Sequence, residues 1–139
     1  FGLGALVYVL GARWLVSRFS EAKLVMMGGW LLGICYVVYL ATDHWYWAIL
    51  ASMGCGLGYY LIHAALQTNA TQMTPSIRGT AVSLFACFLF TGQAIGVAGG
   101  ALVVDGFGIE WVLVLAALTL PVLGLGFGAS LKREKRLTD

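Results

Sequence analysis

All eight Lys and Arg residues of this chain fall on one side of an alternating series of apolar segments. That is the charge signature of a chain crossing a membrane several times. The apolar segments run roughly over 1–12, 24–41, 46–68, 79–104 and 109–129. The last four, at about 18 to 25 residues each, are long enough to cross a hydrocarbon core, and the first is a partial span. Arg13, Arg18 and Lys23 occupy the first connection, Asp43 and His44 the second, Arg78 the third, and Asp105 and Glu110 the fourth. Lys132, Arg133, Lys135 and Arg136 fall in a basic tail over 130–139. If each segment crosses once, one face carries every basic residue, and the other carries Asp43, Asp105 and Glu110 with no basic residue. The positive-inside rule then assigns the 13–23 and 69–78 connections and the C-terminal tail to the cytoplasm.

Composition excludes a soluble domain: 60% of the 139 residues are hydrophobic and only 10% are charged, far from the balance of a water-exposed fold. A nucleic-acid partner is excluded too. The basic residues sit in short connections beside spans, where orienting those spans already accounts for them. Trp14, Trp45, Trp47 and Trp111 lie toward segment ends, where amphipathic rings favour the headgroup layer; Trp30 lies well inside a span and does not follow that rule. The chain opens at Phe1 with about half a span before Gly11, so it is expected to be a piece of something longer. Cys35, Cys55 and Cys87 lie at membrane depth in three different segments and read as small apolar packing residues, with no disulfide expected.

Nineteen glycines would weaken helices in water, but in lipid they let helix backbones approach closely. Gly54 and Gly58 in the third segment, and Gly92, Gly96 and Gly100 in the fourth, read as contact faces. Pro121, inside the fifth segment, should bend its helix and free a carbonyl that a neighbour must accommodate. Thr74 and Pro75 read as the cap and first turn of the fourth helix, and Asp105-Gly106 with Gly108 as the turn before the fifth.

The third segment holds the polar residues that most need explaining. At about 100° per residue, Ser52, Gly56, Tyr59, Tyr60 and Gln67 all lie within about 60° of His63 around the helix, while Gly54, Gly58 and Leu61 lie opposite. A polar stripe facing lipid would go unsatisfied, so it should face the bundle interior or a wet cavity. His63 is the one imidazole near the middle of a span. It is either hydrogen-bonded to a neighbouring helix or engaged in handling substrate or protons. A weaker stripe on the fourth segment comprises Ser83, Cys87 and Thr91, with Gln93 toward the glycine side; Ser and Thr readily satisfy themselves on the preceding turn. Ser52, Tyr59, Tyr60, His63, Gln67, Ser83, Thr91 and Gln93 are therefore the candidate lining of a substrate path. No Asp or Glu lies inside a span, no His, Cys, Asp and Glu set has metal-ligand spacing, and no nucleophile sits beside a base. Neither an enzyme nor a bound metal or cofactor is expected.

Leu15 to Leu24 resembles a degenerate copy of the loop signature of the major facilitator superfamily: a Gly, an Asp-Arg pair, a Gly and a basic pair. Arg18 and Lys23 match basic positions, whereas Ser17 stands in place of the Asp and Arg13 and Ser20 in place of the two glycines. Pro75 to Ala81, followed by Gly92-Gln93, Gly99-Gly100, Asp105 and Gly108, is similar to the tenth-to-eleventh helix region of bacterial members, above all of drug and sugar efflux carriers. The resemblance implies an all-α polytopic transmembrane helix bundle running from half of helix eight to helix twelve, with four full spans and one partial. It implies a carrier of two six-helix bundles that rock about a central site, with the first half missing here. Its eighth, tenth and eleventh helices would line the cavity, and Arg13, Arg18, Lys23 and Arg78 would belong to cytoplasmic loops that fasten one state. The expected activity is proton-coupled efflux of a small organic solute across the bacterial inner membrane, with the C-terminus cytoplasmic. The rival is a free-standing membrane protein of four or five helices, either a small dimeric exporter or an anchor subunit. The exporter would need a carboxylate in a span, and the anchor would not need the Ser52 to Gln67 stripe.

Overall fold

The computed structural model describes residues 1–72 and 77–138, the side chains of 134–138 excepted. These residues form α1 (Gly2–Arg18), α2 (Glu21–Ala41), α3 (Trp45–Gln72), α4 (Arg78–Phe107) and α5 (Ile109–Thr138), with no strand among them. Glu21–Ala41, Trp45–Gln72, Arg78–Phe107 and Ile109–Arg133 are each long and apolar enough to cross a membrane. α1 is the partial member. The helices divide into two compact units, one of Phe1–Ala65 with α5 from Leu113 onward, the other of Leu66–Val112.

The helices run past the apolar segments at both ends. Arg13 and Arg18 lie on α1 and Lys23 in the first turn of α2, so the expected 13–23 connection shrinks to Phe19 and Ser20. Likewise, α5 continues through the basic stretch to Thr138, where a separate tail was expected from 130. Bilayer thickness limits the apolar length and not the helix length; Lys, Arg and Glu are good helix formers and extend a helix into the aqueous layer. The two-residue connection is closed by backbone: Phe19 N–H donates to Leu15 C=O at 2.9 Å, and Lys23 N–H to Ser20 C=O at 2.9 Å. The turn before α5 also differs. Asp105 and Gly106 stay inside α4, and Gly108 alone redirects the chain at φ 93°, its N–H donating to Val104 C=O at 2.9 Å. A side chain at that φ would be strained, so one glycine does the work expected of three residues. Thr74 and Pro75 lie outside the described residues.

In the first unit, α2 is the central helix and uses glycine on two faces. Toward α3, a Cβ at Gly28 would lie 2.7 Å from the Gly58 carbonyl oxygen, and one at Gly58 would lie 2.9 Å from Leu32 Cγ. Gly54 faces the Cys35 sulfur. Toward α5, a Cβ at Gly29 would lie 2.9 Å from Gly124 Cα. One at Gly33 would meet Pro121 Cγ at 2.5 Å and the Ala117 carbonyl oxygen at 3.0 Å. Ala117 is four residues before Pro121, so its carbonyl is the one whose helical N–H donor the proline removes. It lies against a glycine.

α1 joins α3 in the same manner, Gly4 facing the Met53 carbonyl and Gly56 the Phe1 carbonyl. The small core between these contacts holds Leu32, Cys35, Ala51 and Cys55, and all three cysteines are free thiols. Outside it the surface is apolar: Leu10 is 79% and Trp45 74% exposed, which fits a lipid surround and not water. In the second unit no residue of α4 is buried, and a Cβ at Gly92, Gly96 or Gly100 would meet nothing within 4 Å. Close approach needs an opposing backbone, which spacing alone does not supply.

Gly33→Leu should lower unfolding stability in detergent by about 1–3 kcal/mol through overpacking against Pro121. Gly29→Leu should do the same against Gly124, whereas Gly126→Ala, with nothing within 4 Å, should leave the denaturation midpoint unchanged.

Candidate functional site

The third-segment stripe falls on α3, and its members separate into two groups. Ser52 turns to α2: its hydroxyl shares a 2.6 Å hydrogen bond with the Tyr39 hydroxyl. Tyr39 in turn lies near Tyr36, ring centroids 6.1 Å apart. Ser52 is thus used in helix packing, which its angular position alone did not reveal.

About two to three turns further on, Tyr59, Tyr60 and His63 form a cluster. The Tyr59 and His63 rings stack at 5.3 Å with 12° between planes, while Tyr60 meets His63 edge-on at 6.4 Å. The stack follows from the spacing, because residues four apart lie one above the other on a helix. α1 completes the group: Tyr8 stacks on Tyr60 at 6.0 Å and Phe1 tilts against Tyr59 at 5.8 Å. Gly4 and Gly56 make this possible, since the absence of side chains there brings α1 against α3 at the level of the rings. His63 and Tyr60 are half-buried and Tyr59 is 38% exposed. Gln67, one turn beyond His63 on α3, is exposed.

The sequence pattern had offered no reason to include Phe1, Tyr8 or Tyr39. Phe1 and Tyr8 sit on a partial span, and a tyrosine on an otherwise apolar helix carries no periodic signal; only Gly4 and Gly56 hint that the two helices touch.

Ser83, Thr91 and Gln93 are all exposed on α4, as is Cys87. Arg13, Arg18, Lys23 and Arg78 are exposed at helix ends or just inside them. The site has hydroxyl and imidazole groups, aromatic faces, and no carboxylate within α3. Among the described residues no group of three His, Cys, Asp or Glu could hold a metal ion. Such a face can stack on and hydrogen-bond a solute, and an imidazole can carry a proton.

Long apolar helices with lipid-facing side chains outside and glycine contacts inside define an all-α polytopic integral membrane protein. The chain matches the family model of the Major Facilitator Superfamily over residues 1–138, and it belongs to that superfamily of membrane transporters. No curated protein and no solved structure matches it. Membership favours a carrier over the free-standing anchor or small exporter.

The Tyr39 to Ser52 bond gives a direct check on the split of the stripe. A double-mutant cycle with Tyr39→Phe and Ser52→Ala should show a coupling of about 0.6 kcal/mol, at most about 1.7, in detergent unfolding. The same cycle with His63→Ala and Ser52→Ala should show none.

Proposed function

We propose that this chain forms one wall of a secondary active carrier of a small organic solute, and that the Tyr59, Tyr60 and His63 face of α3 lines the path. The observation that carries the reading is the stacked Tyr59 and His63 pair, flanked by Tyr60 and by Phe1 and Tyr8 of α1. Pure helix packing in lipid is met by small apolar residues and does not need three tyrosines and an imidazole at one level. Gln67, Ser83, Thr91 and Gln93 are carried as lining candidates on the sequence pattern alone. A second bundle of the same carrier supplies the opposite wall, and the two rock to open the site to either side.

In this reading the coupling is to protons, and His63 is the group that takes one up, because the carboxylates Glu21, Asp105 and Glu110 lie only at the ends of the spans and none lies near a span's middle. The direction is efflux through the bacterial inner membrane, supported by the likeness of the Pro75 to Gly108 sequence to efflux carriers. The basic residues orient the molecule, so that Arg13, Arg18, Lys23, Arg78 and the end of α5 face the cytoplasm, where the loop residues fasten one of the carrier's states.

Two experiments test this. In intact cells, cysteines introduced at Asp43 and Asp105 should react with an impermeant maleimide and one at Ser76 should not; the opposite pattern reverses the orientation. In the complete protein, His63→Ala should cut transport about ten-fold or more at near-normal expression, while Cys87→Ala should change little. His63→Gln keeps hydrogen bonding and loses titration, so it should retain downhill movement of solute with a flattened profile between about pH 5 and pH 8 and lose proton-driven accumulation. Normal transport by His63→Ala across that range would remove His63 from the path.

A further inference from the structure

We propose that a groove beside α2 seats one acyl chain of an acidic phospholipid, whose phosphate is held at the groove's basic end by Lys23 and Arg18. The groove has a volume of about 420 Å³ and lies between Leu15 of α1, the Met27, Trp30 and Ile34 side of α2, and Leu57 and Leu61 of α3. It is separate from the aromatic site, because Leu57 and Leu61 lie about 120° or more around α3 from His63. Its size falls within the roughly 300–1,000 Å³ of small-molecule sites, but it lacks the convergent polar groups that orient a polar solute. Every lining residue named is apolar, and Trp30, Met27 and Ile34 are 52%, 42% and 56% exposed. At membrane depth such a surface is covered by hydrocarbon.

What makes it more than ordinary lipid contact is the charge at one end. Lys23, Met27, Trp30 and Ile34 follow one another at spacings of four, three and four, so Lys23 stands at the head of the stripe that lines the groove. On α1, Arg18 lies three residues beyond Leu15, on the same side of that helix. The two-residue connection of Phe19 and Ser20 keeps the two cations at the same end of the α1 and α2 pair. Both are exposed. Glu21, the acid nearest in sequence, points about 160° away from Lys23 around α2. A headgroup phosphate one turn beyond a seated acyl chain therefore meets two cations, the arrangement by which basic sites at membrane interfaces select anionic lipids. The position of Trp30, too deep for a headgroup anchor, follows from its place as a wall of the groove. The proposal requires nothing of the transport path, nor of which leaflet borders the α1 and α2 connection.

Trp30 also provides the readout. The complete protein, carrying Trp30 as its only tryptophan, is placed in phosphatidylcholine nanodiscs doped with acyl-brominated phosphatidylglycerol or acyl-brominated phosphatidylcholine. Half-maximal quenching should require about five-fold less of the glycerol lipid. That preference should vanish in the Arg18→Gln, Lys23→Gln double variant while quenching by the choline lipid persists. Raising the salt concentration on the unaltered pair should shrink the preference in the same way, which provides the test if the double variant does not insert. Equal quenching by the two lipids, or a preference that survives both the double variant and high salt, overturns the proposal. Absence of quenching by either lipid also overturns it, since the groove would then be covered by protein.

Discussion

Contact between glycine and backbone is the constraint from which the rest of the first unit follows. Lipid tails are as apolar as leucine, so burial of side chains supplies little drive between helices, and dispersion at close range must take its place. α2 meets this by presenting Gly28 to α3 and Gly29 with Gly33 to α5, so that its two neighbours approach along different sides of one helix. The small size of the core is a consequence. Where backbones touch, there is little room for large side chains, and the core is left to Leu32, Ala51 and two cysteines.

That same closeness sets the site. Tyr8 and Phe1 reach the α3 rings only because Gly4 and Gly56 let α1 lie against α3. The aromatic and imidazole groups are therefore held by a helix contact made of the smallest residues available. A transporter wall built in this way fixes its polar groups without a polar core; among the described residues no polar or charged side chain is buried.

Much of this was legible in the chain. The apolar segments and the one-sided basic residues give the number of spans, and Gly54 and Gly58 identify the α3 face that meets α2. Three kinds of information were not. Helix ends are invisible to hydropathy, because Arg18, Lys23 and the stretch from Lys132 are polar and still helical. Angular position puts Ser52 with His63, but a hydroxyl bonds to whatever partner lies nearest, and Tyr39 belongs to another helix. Spacing makes Gly92, Gly96 and Gly100 resemble Gly54 and Gly58, but a pattern on one helix carries no record of what stands opposite, and the partners of Gly54 and Gly58 are visible only in the structure.

Pro121 bears on how α5 responds to load. Its missing N–H leaves the helix one rung short at the level of Ala117, so flexing there breaks no hydrogen bond that the resting state possesses. Gly33 sits across from that rung and offers no side chain to resist. The upper and lower halves of α5 are thus joined by a compliant segment located where the helix is held against α2. A pull on one half of α5 is relieved at that clamp before it travels along the helix, so displacements at the two ends of α5 need not match.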